Sequence, residues 1–237
     1  MLRTLNTLIV ALAIVISFAL LGGFFVKGLL DHRGMERTVN VKGLSEQEFL
    51  ADTVIWPIQF VSATNNLEEI YQQIDEGTQS ITQFLESRGI TADEITVGAP
   101  SVTDKSAQTW SSGEPAEFRY TATQTITVYS NRVEEIRAMM SSVSELGRQG
   151  IALSSDNYQA RPEYLFTRLN DVKPDMIEEA TKNAREVAEK FADDSNSELG
   201  KIKYAQQGLF SIQDRDQHNP HLKKVRVVTT VEYYLSD

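Results

Sequence analysis

Residues 4–26 carry no charged side chain, and this feature constrains the chain more than any other. The apolar core of that stretch, residues 5–26 (LNTLIVALAIVISFALLGGFFV), is about 22 residues long, roughly 33 Å of helix at ~1.5 Å per residue. That matches a hydrocarbon layer of ~30 Å crossed with slight tilt. Two rival readings exist. A cleaved signal peptide has a shorter apolar stretch, about 7–15 residues, and a small-residue cleavage site; only Ser17-Phe18-Ala19 offers a small-x-small pattern, and it lies inside the run. The other rival is a buried helix of a soluble protein. The expectation is an uncleaved membrane anchor over residues 1–30, a polar linker over 31–36 and a folded domain over 37–237. Arg3 and the amino terminus flank one side of the run, and Lys27, Arg33 and Arg37 the other. Counting Lys and Arg alone leans slightly towards a cytoplasmic C-terminal domain.

The folded remainder is acidic. The whole chain has 33 Asp and Glu against 23 Lys and Arg, a net charge of -10, which repels phosphate backbones and argues against nucleic-acid binding. With no cysteine there is no disulfide, thiolate metal site or cysteine nucleophile.

Hydrophobic periodicity lays out the elements. Residues 37–42 (RTVNVK) alternate as a strand, and Gly43-Leu44-Ser45 reads as a turn. A longer strand follows over residues 49–63, with Pro57 pointing to a sheet edge or bulge. Asn65 or Asn66, with Glu68 or Glu69 three residues on, opens an amphipathic helix that Gly89 ends. Residues 94–103 and 118–130 form a strand pair around a polar connection. Asn131, with Glu134, opens a helix whose apolar face runs from Val133 to Leu146, and residues 151–169 read as strand or irregular structure. A long helix follows with Pro174 near its first turn and Ile177, Ala180, Ala184, Val187, Ala188 and Phe191 on its inner face. Residues 201–212 and 225–235 make a final strand pair around the polar loop 213–224.

Residues 66–130 and 174–236 share one architecture: amphipathic helix, acidic turn, strand, polar loop, strand rich in Thr, Val and Tyr. Their closing strands, TATQTITVYS and VVTTVEYYLS, match in alternation only if the register slips by one. The expected fold class is α+β: an N-terminal transmembrane helix, then helices packed on a mainly antiparallel sheet with an approximate internal strand–helix–strand–strand repeat.

Residues 37–58 (RTVNVKGLSEQEFLADTVIWPI) place a short strand ending in Val41-Lys42-Gly43, an acidic turn at 46–48, and a strand carrying Ala51-Asp52-Thr53-Val54. Residues 179–192 (EATKNAREVAEKFA) form an Ala-rich helix with an Ala184-Arg185 step, followed by Leu199-Gly200-Lys201-Ile202. In this order and spacing the chain resembles the SIMPL-domain family of bacterial envelope proteins over nearly all of residues 37–237. One departure is residues 193–198, which replace the family's more usual glycine-containing helix exit. The resemblance implies an exported or periplasmic protein, here single-pass in the inner membrane, or secreted if the leader is cleaved. It also implies an α+β subunit that self-assembles and a loose link to envelope or oxidative stress. The family has no agreed catalytic residues to carry over.

The chemistry-bearing residues are few. Among three histidines, His32 belongs to the linker, while His218 and His221 share a loop with Asp214 and Asp216. Two imidazoles and two carboxylates suit a transition metal, yet H-x-x-H here spans Pro220 in a polar loop, and a solvated loop is the better reading. There is no G-x-S-x-G, G-x-x-x-x-G-K-[ST] or G-x-G-x-x-G. Paired carboxylates such as Glu68-Glu69 and Glu178-Glu179 read as solvated helix faces. Trp56 marks either a core aromatic or a ligand pocket, and one of Tyr233 and Tyr234 faces solvent or a neighbour. The expectation is a non-enzymatic envelope protein with no cofactor, partnered by the membrane, by copies of itself and by an unidentified protein. The alternative is a small-molecule or metal-binding periplasmic module.

Overall fold

The structure, a computed structural model, describes Ile14 and residues 16–28, 37–107, 117–154 and 160–236. Of the apolar run, residues 5–13 and Val15 lie outside the described residues, as does the linker over 31–36. Residues 16–28 are helical, and their apolar side chains are exposed, Phe24 at 76%. Among the described residues no helix is long and apolar enough to cross a membrane.

The chain divides into two compact units, each assembled from separated pieces of chain. One comprises Glu48–Leu169 and Ile212–Lys224. It begins with strand β2 (Thr53–Thr64) and helix α1 (Leu67–Ser87). A single 3-10 turn at Ala92–Glu94 leads into short strands β3 (Ile95–Val97) and β4 (Ser101–Asp104), then β5 (Tyr120–Ser130). Helices α2 (Val133–Met140) and α3 (Ser144–Arg148) follow, then β6 (Ala152–Leu153) and β7 (Glu163–Leu165). β2 and β5 pair antiparallel without a break from Val54↔Ser130 to Thr64↔Tyr120. The strand order is β3–β5–β2–β6, with β4 also on β5 and β7 also on β2. Trp56, Ile58 and Phe60 of β2, Ile126 and Val128 of β5, and Ile70, Ile74, Ile81 and Leu85 of α1 form the core. Alternation on the strands and three-to-four spacing on the helix turn these residues inward.

The other unit contains Asn170–Ser211, Val225–Asp237 and the N-terminal chain up to Gln47. Its elements are β1 (Thr38–Leu50), α4 (Leu169–Asp194), β8 (Glu198–Gln207) and β10 (Leu222–Ser236), and β9 (Ser211–Asp214) begins at its last residue before 212–224. The strand order is β1–β10–β8, with β9 also on β10. Val41, Ala184, Ala188, Val231 and Tyr233 make a small core.

Each unit is therefore a strand–helix–strand–strand module in which the last strand lies between the first and the third. The correspondence extends to single hydrogen bonds. Gly98 N–H donates to the Thr125 carbonyl at 3.0 Å and Lys105 N–H to that of Arg119 at 2.9 Å. Gly208 N–H donates to Val228 at 2.8 Å and Arg215 N–H to Leu222 at 2.8 Å, over the same two sequence intervals. In this register Ala122, Gln124, Ile126, Val128 and Ser130 match Val225, Val227, Thr229, Val231 and Tyr233, all buried. Thr121 corresponds to Lys224 rather than Val227, a shift of three residues (227 − 224). An odd shift restores the alternation that the sequence comparison loses.

Four expectations are corrected. Gly43-Leu44-Ser45 is no turn but the middle of β1; a Cβ on Gly43 would overlap the Ala180 carbonyl oxygen, so the glycine serves close approach of helix to strand. The chain turns instead at Ala51-Asp52. Pro57 lies in a strand paired on both sides, but in the gap between β7, opposite Thr53–Ile55, and β6, opposite Phe60 and Val61. The helix opened near Asn131 breaks after Met140, where the hydroxyls of Ser141 and Ser142 donate back to the Ala138 and Met139 carbonyls. On α4 the buried stripe is Met176, Ala180, Ala184, Ala188 and Ala192, while Val187 and Phe191 are exposed, because alanine at every fourth position lets the backbone settle onto the sheet.

Candidate functional site

The four metal candidates do not converge. Lys223, buried, donates to the Asp214 carboxylate. Asp216 accepts from Arg215, from the backbone N–H of His218 and Asn219 (2.9 Å each) and from the Asn219 amide. The Arg215 guanidinium opposes a small burial cost and, with those N–H donors, holds the Asp216 carboxyl down at about 2. His221 is turned inward, 7% exposed, with its ring against the edge of Tyr164. Among the described residues no group of three or more His, Cys, Asp or Glu suits a metal ion. The segment 214–222 is not a loose loop either. Asp216 closes it as a turn acceptor, and Arg215 N–H to the Leu222 carbonyl (2.8 Å) closes the hairpin. This use of an Asp side chain to bond backbone N–H two and three residues on is what D-x-H-N in the sequence can signal.

A cleft of about 690 Å³ lies in the unit that carries Asp52, lined by Asp52, Thr53, Arg132, Glu134, Thr167 and Arg168 among others. Asp52 accepts from the Thr167 N–H and hydroxyl (both 2.8 Å) and from the Arg168 N–H (3.2 Å), just ahead of α4. Burial presses its carboxyl up, but these bonds and the Thr53 hydroxyl outweigh it and hold it below the usual carboxylate range. Arg132 binds Glu94 at 2.6 Å and Glu135 at 3.1 Å and donates to the Gly89 carbonyl. Burial likewise opposes ionisation of Glu94, yet hydrogen bonds from Ser130, Thr91 and Arg132 bring it down to about 2. Both acids are thus ionised and saturated at neutral pH, fit to hold backbone in place rather than to donate protons. The Ala51-Asp52 pair was visible as a family trait. The Glu94–Arg132 pair was not, since the two are joined only by the fold; the T-x-x-E spacing of Thr91 and Glu94 gave the one local signal.

The other unit carries a different kind of surface. β8 ends its sheet, and residues 201–207 are exposed without exception. Ile202 is 49% and Tyr204 54% exposed, and Leu209, in the bulge between β8 and β9, is 95% exposed. An edge strand carrying bare apolar side chains is a template for another chain. Trp56 belongs to the core, and of the tyrosine pair Tyr233 is buried while Tyr234 is half-buried.

A family model, SIMPL, described as a protein of unknown function (DUF541), matches residues 39–231. No curated protein matches the chain.

Proposed function

The chain belongs to the SIMPL family, and on that premise we propose that it is a membrane-anchored envelope protein without catalytic activity whose folded part associates with copies of itself or with a protein partner. The observation that carries this reading is the exposed apolar helix at the N-terminal end. Ile14, Ile16, Phe18, Leu20, Leu21, Phe24, Phe25 and Val26 all stand exposed. Each such side chain gains about 1.5–3 kcal/mol on leaving water. Lipid around the uncharged run of residues 4–26 supplies that gain. The bare edge of β8 supports association through the folded part. The hydrogen bonds that occupy Asp52, and the ion pair that holds the cleft's Arg132 to Glu94, support a structural rather than catalytic use of the cleft.

In this reading the chain is single-pass in the inner membrane, residues 37–237 lie in the periplasm, and the link to envelope or oxidative stress follows from the family resemblance. Two measurements test it. Full-length protein stays with membranes through a carbonate wash, whereas release into the wash removes the anchor. In detergent, light scattering gives a protein mass above one chain or crosslinking captures a partner; a strict monomer with no capture removes the assembly role.

A further inference from the structure

His221 occupies an unusual position for an ionisable group. Its ring is buried, with its centroid 6.1 Å from that of Tyr164 and the two planes at 66°. Its carbonyl oxygen accepts from the Ala51 N–H at 2.8 Å, so the residue ties the turn at 214–222 to the chain just ahead of β2. The charged groups whose fields reach the imidazole are Arg137 and Glu134 from α2 and Arg215 and Asp216 from the turn. The Asp216 carboxylate is already shared among Arg215, Asn219 and the His218 N–H, and Arg215 reaches Glu48 as well. From β7, Tyr164 presents a neutral ring whose hydroxyl also interacts with Arg137.

We propose that His221 is an acid-operated latch: a proton taken up by its imidazole places a new cation in a desolvated position already in the field of Arg137 and Arg215, and frees the turn at 214–222 from Ala51. The neutral ring packs against Tyr164 at no electrostatic cost, whereas the charged ring gains by reaching water, and in doing so it draws with it the hydrogen-bonded turn that carries it. Burial first, then Arg137, set the imidazole below its ordinary range, so the latch is closed at neutral pH. The sign follows from linkage. A depressed folded value means that the stabilisation is complete above the free imidazole value of ~6.5. It is lost as the pH falls below that value towards the folded one, by up to about tenfold in the closed-to-open ratio per pH unit.

The test uses the full chain in detergent, with hydrogen exchange corrected for intrinsic rates, reading the Ala51 amide at pH 7.5 and pH 5. Protection at Ala51 is expected to drop at pH 5, with a linkage ceiling of about thirtyfold set by the ~1.5 pH units below the free imidazole value of ~6.5. His221→Gln is expected to remove that drop, and His218→Gln to preserve it. Equal protection at both pH values in the unaltered chain overturns the proposal, as does an undiminished drop in His221→Gln. If His221→Gln does not fold, the imidazole signal of His221 in the unaltered chain decides. Titration clearly below the free imidazole value of ~6.5, with the Ala51 change tracking it, supports the latch, and titration at that value sinks it.

Discussion

Asn196 holds at the exit of α4 the left-handed backbone that Gly89 holds at the exit of α1, with φ of 51° against 86°. The bonding is the same at both. Gly89 N–H returns to Glu86 and Ile90 N–H to Leu85; Asn196 N–H returns to Asp193 and Ser197 N–H to Ala192. This double closure satisfies carbonyls that the last helical turn leaves open, and asparagine is the residue after glycine best able to adopt it. With asparagine, the exit over residues 193–198 takes the shape that Gly89 gives the exit of α1.

Asn196→Gly is therefore expected to leave stability within about 0.5 kcal/mol, glycine's ease at positive φ being set against its freer unfolded chain. Asn196→Val should cost about 1–2 kcal/mol, since a branched side chain opposes the left-handed region. Urea midpoints measure both, and a valine variant that unfolds with the parent chain contradicts the assignment.

Gly43 gives a sharper case. Its missing side chain admits the α4 backbone at Ala180, and nothing flexible lies there to yield. Gly43→Val should cost about 3 kcal/mol or more by forcing helix from strand. Leu44→Ala, on an exposed neighbour, should change stability by less than about 0.5 kcal/mol. Thermal melts of the two variants separate the effects.

Much of this was legible in advance. The helix α1, its Asn66 cap accepting from Glu68 N–H at 2.8 Å, and the strand pair that follows were written in short-range periodicity and cap chemistry. What the sequence hid was long-range. Gly43 reads as a turn until Ala180 is placed against it, and Val187 and Phe191 read as core until the alanine stripe is seen to bring the helix too close for larger groups. His221 reads as a residue of a solvated loop until Tyr164, distant in sequence, covers it.

Acid should act on Glu94 as well. Its folded value of about 2 lies below the ordinary 4.5, so its contribution is complete above pH ~4.5 and fades as the pH falls through 2. Glu94→Gln should cost about 2 kcal/mol at pH 7 and flatten the stability curve between pH 4.5 and 2. Equilibrium unfolding across that window reads it out, and an unchanged slope in the variant would falsify the role given to the Arg132 pair.

The edge of β8 predicts how association is broken. Replacing Ile202 and Tyr204 together with Lys puts charge on a strand whose neighbours already include Lys201 and Lys203. The particle mass in detergent should fall towards one chain while the melting temperature moves by no more than a few degrees. A mass unchanged by the pair of substitutions moves the contact elsewhere.

β10 is the middle strand of its sheet, although it follows β1, α4 and β8 along the chain. Until it emerges, β1 and β8 have nothing to join them, and α4 has no floor on which to set its alanines. A chain halted before Leu222 can complete much of the sheet built on β2 and β5 yet carries three unmated strands, β1, β8 and β9. Interrupted synthesis should therefore yield sticky fragments rather than a smaller working version of the protein.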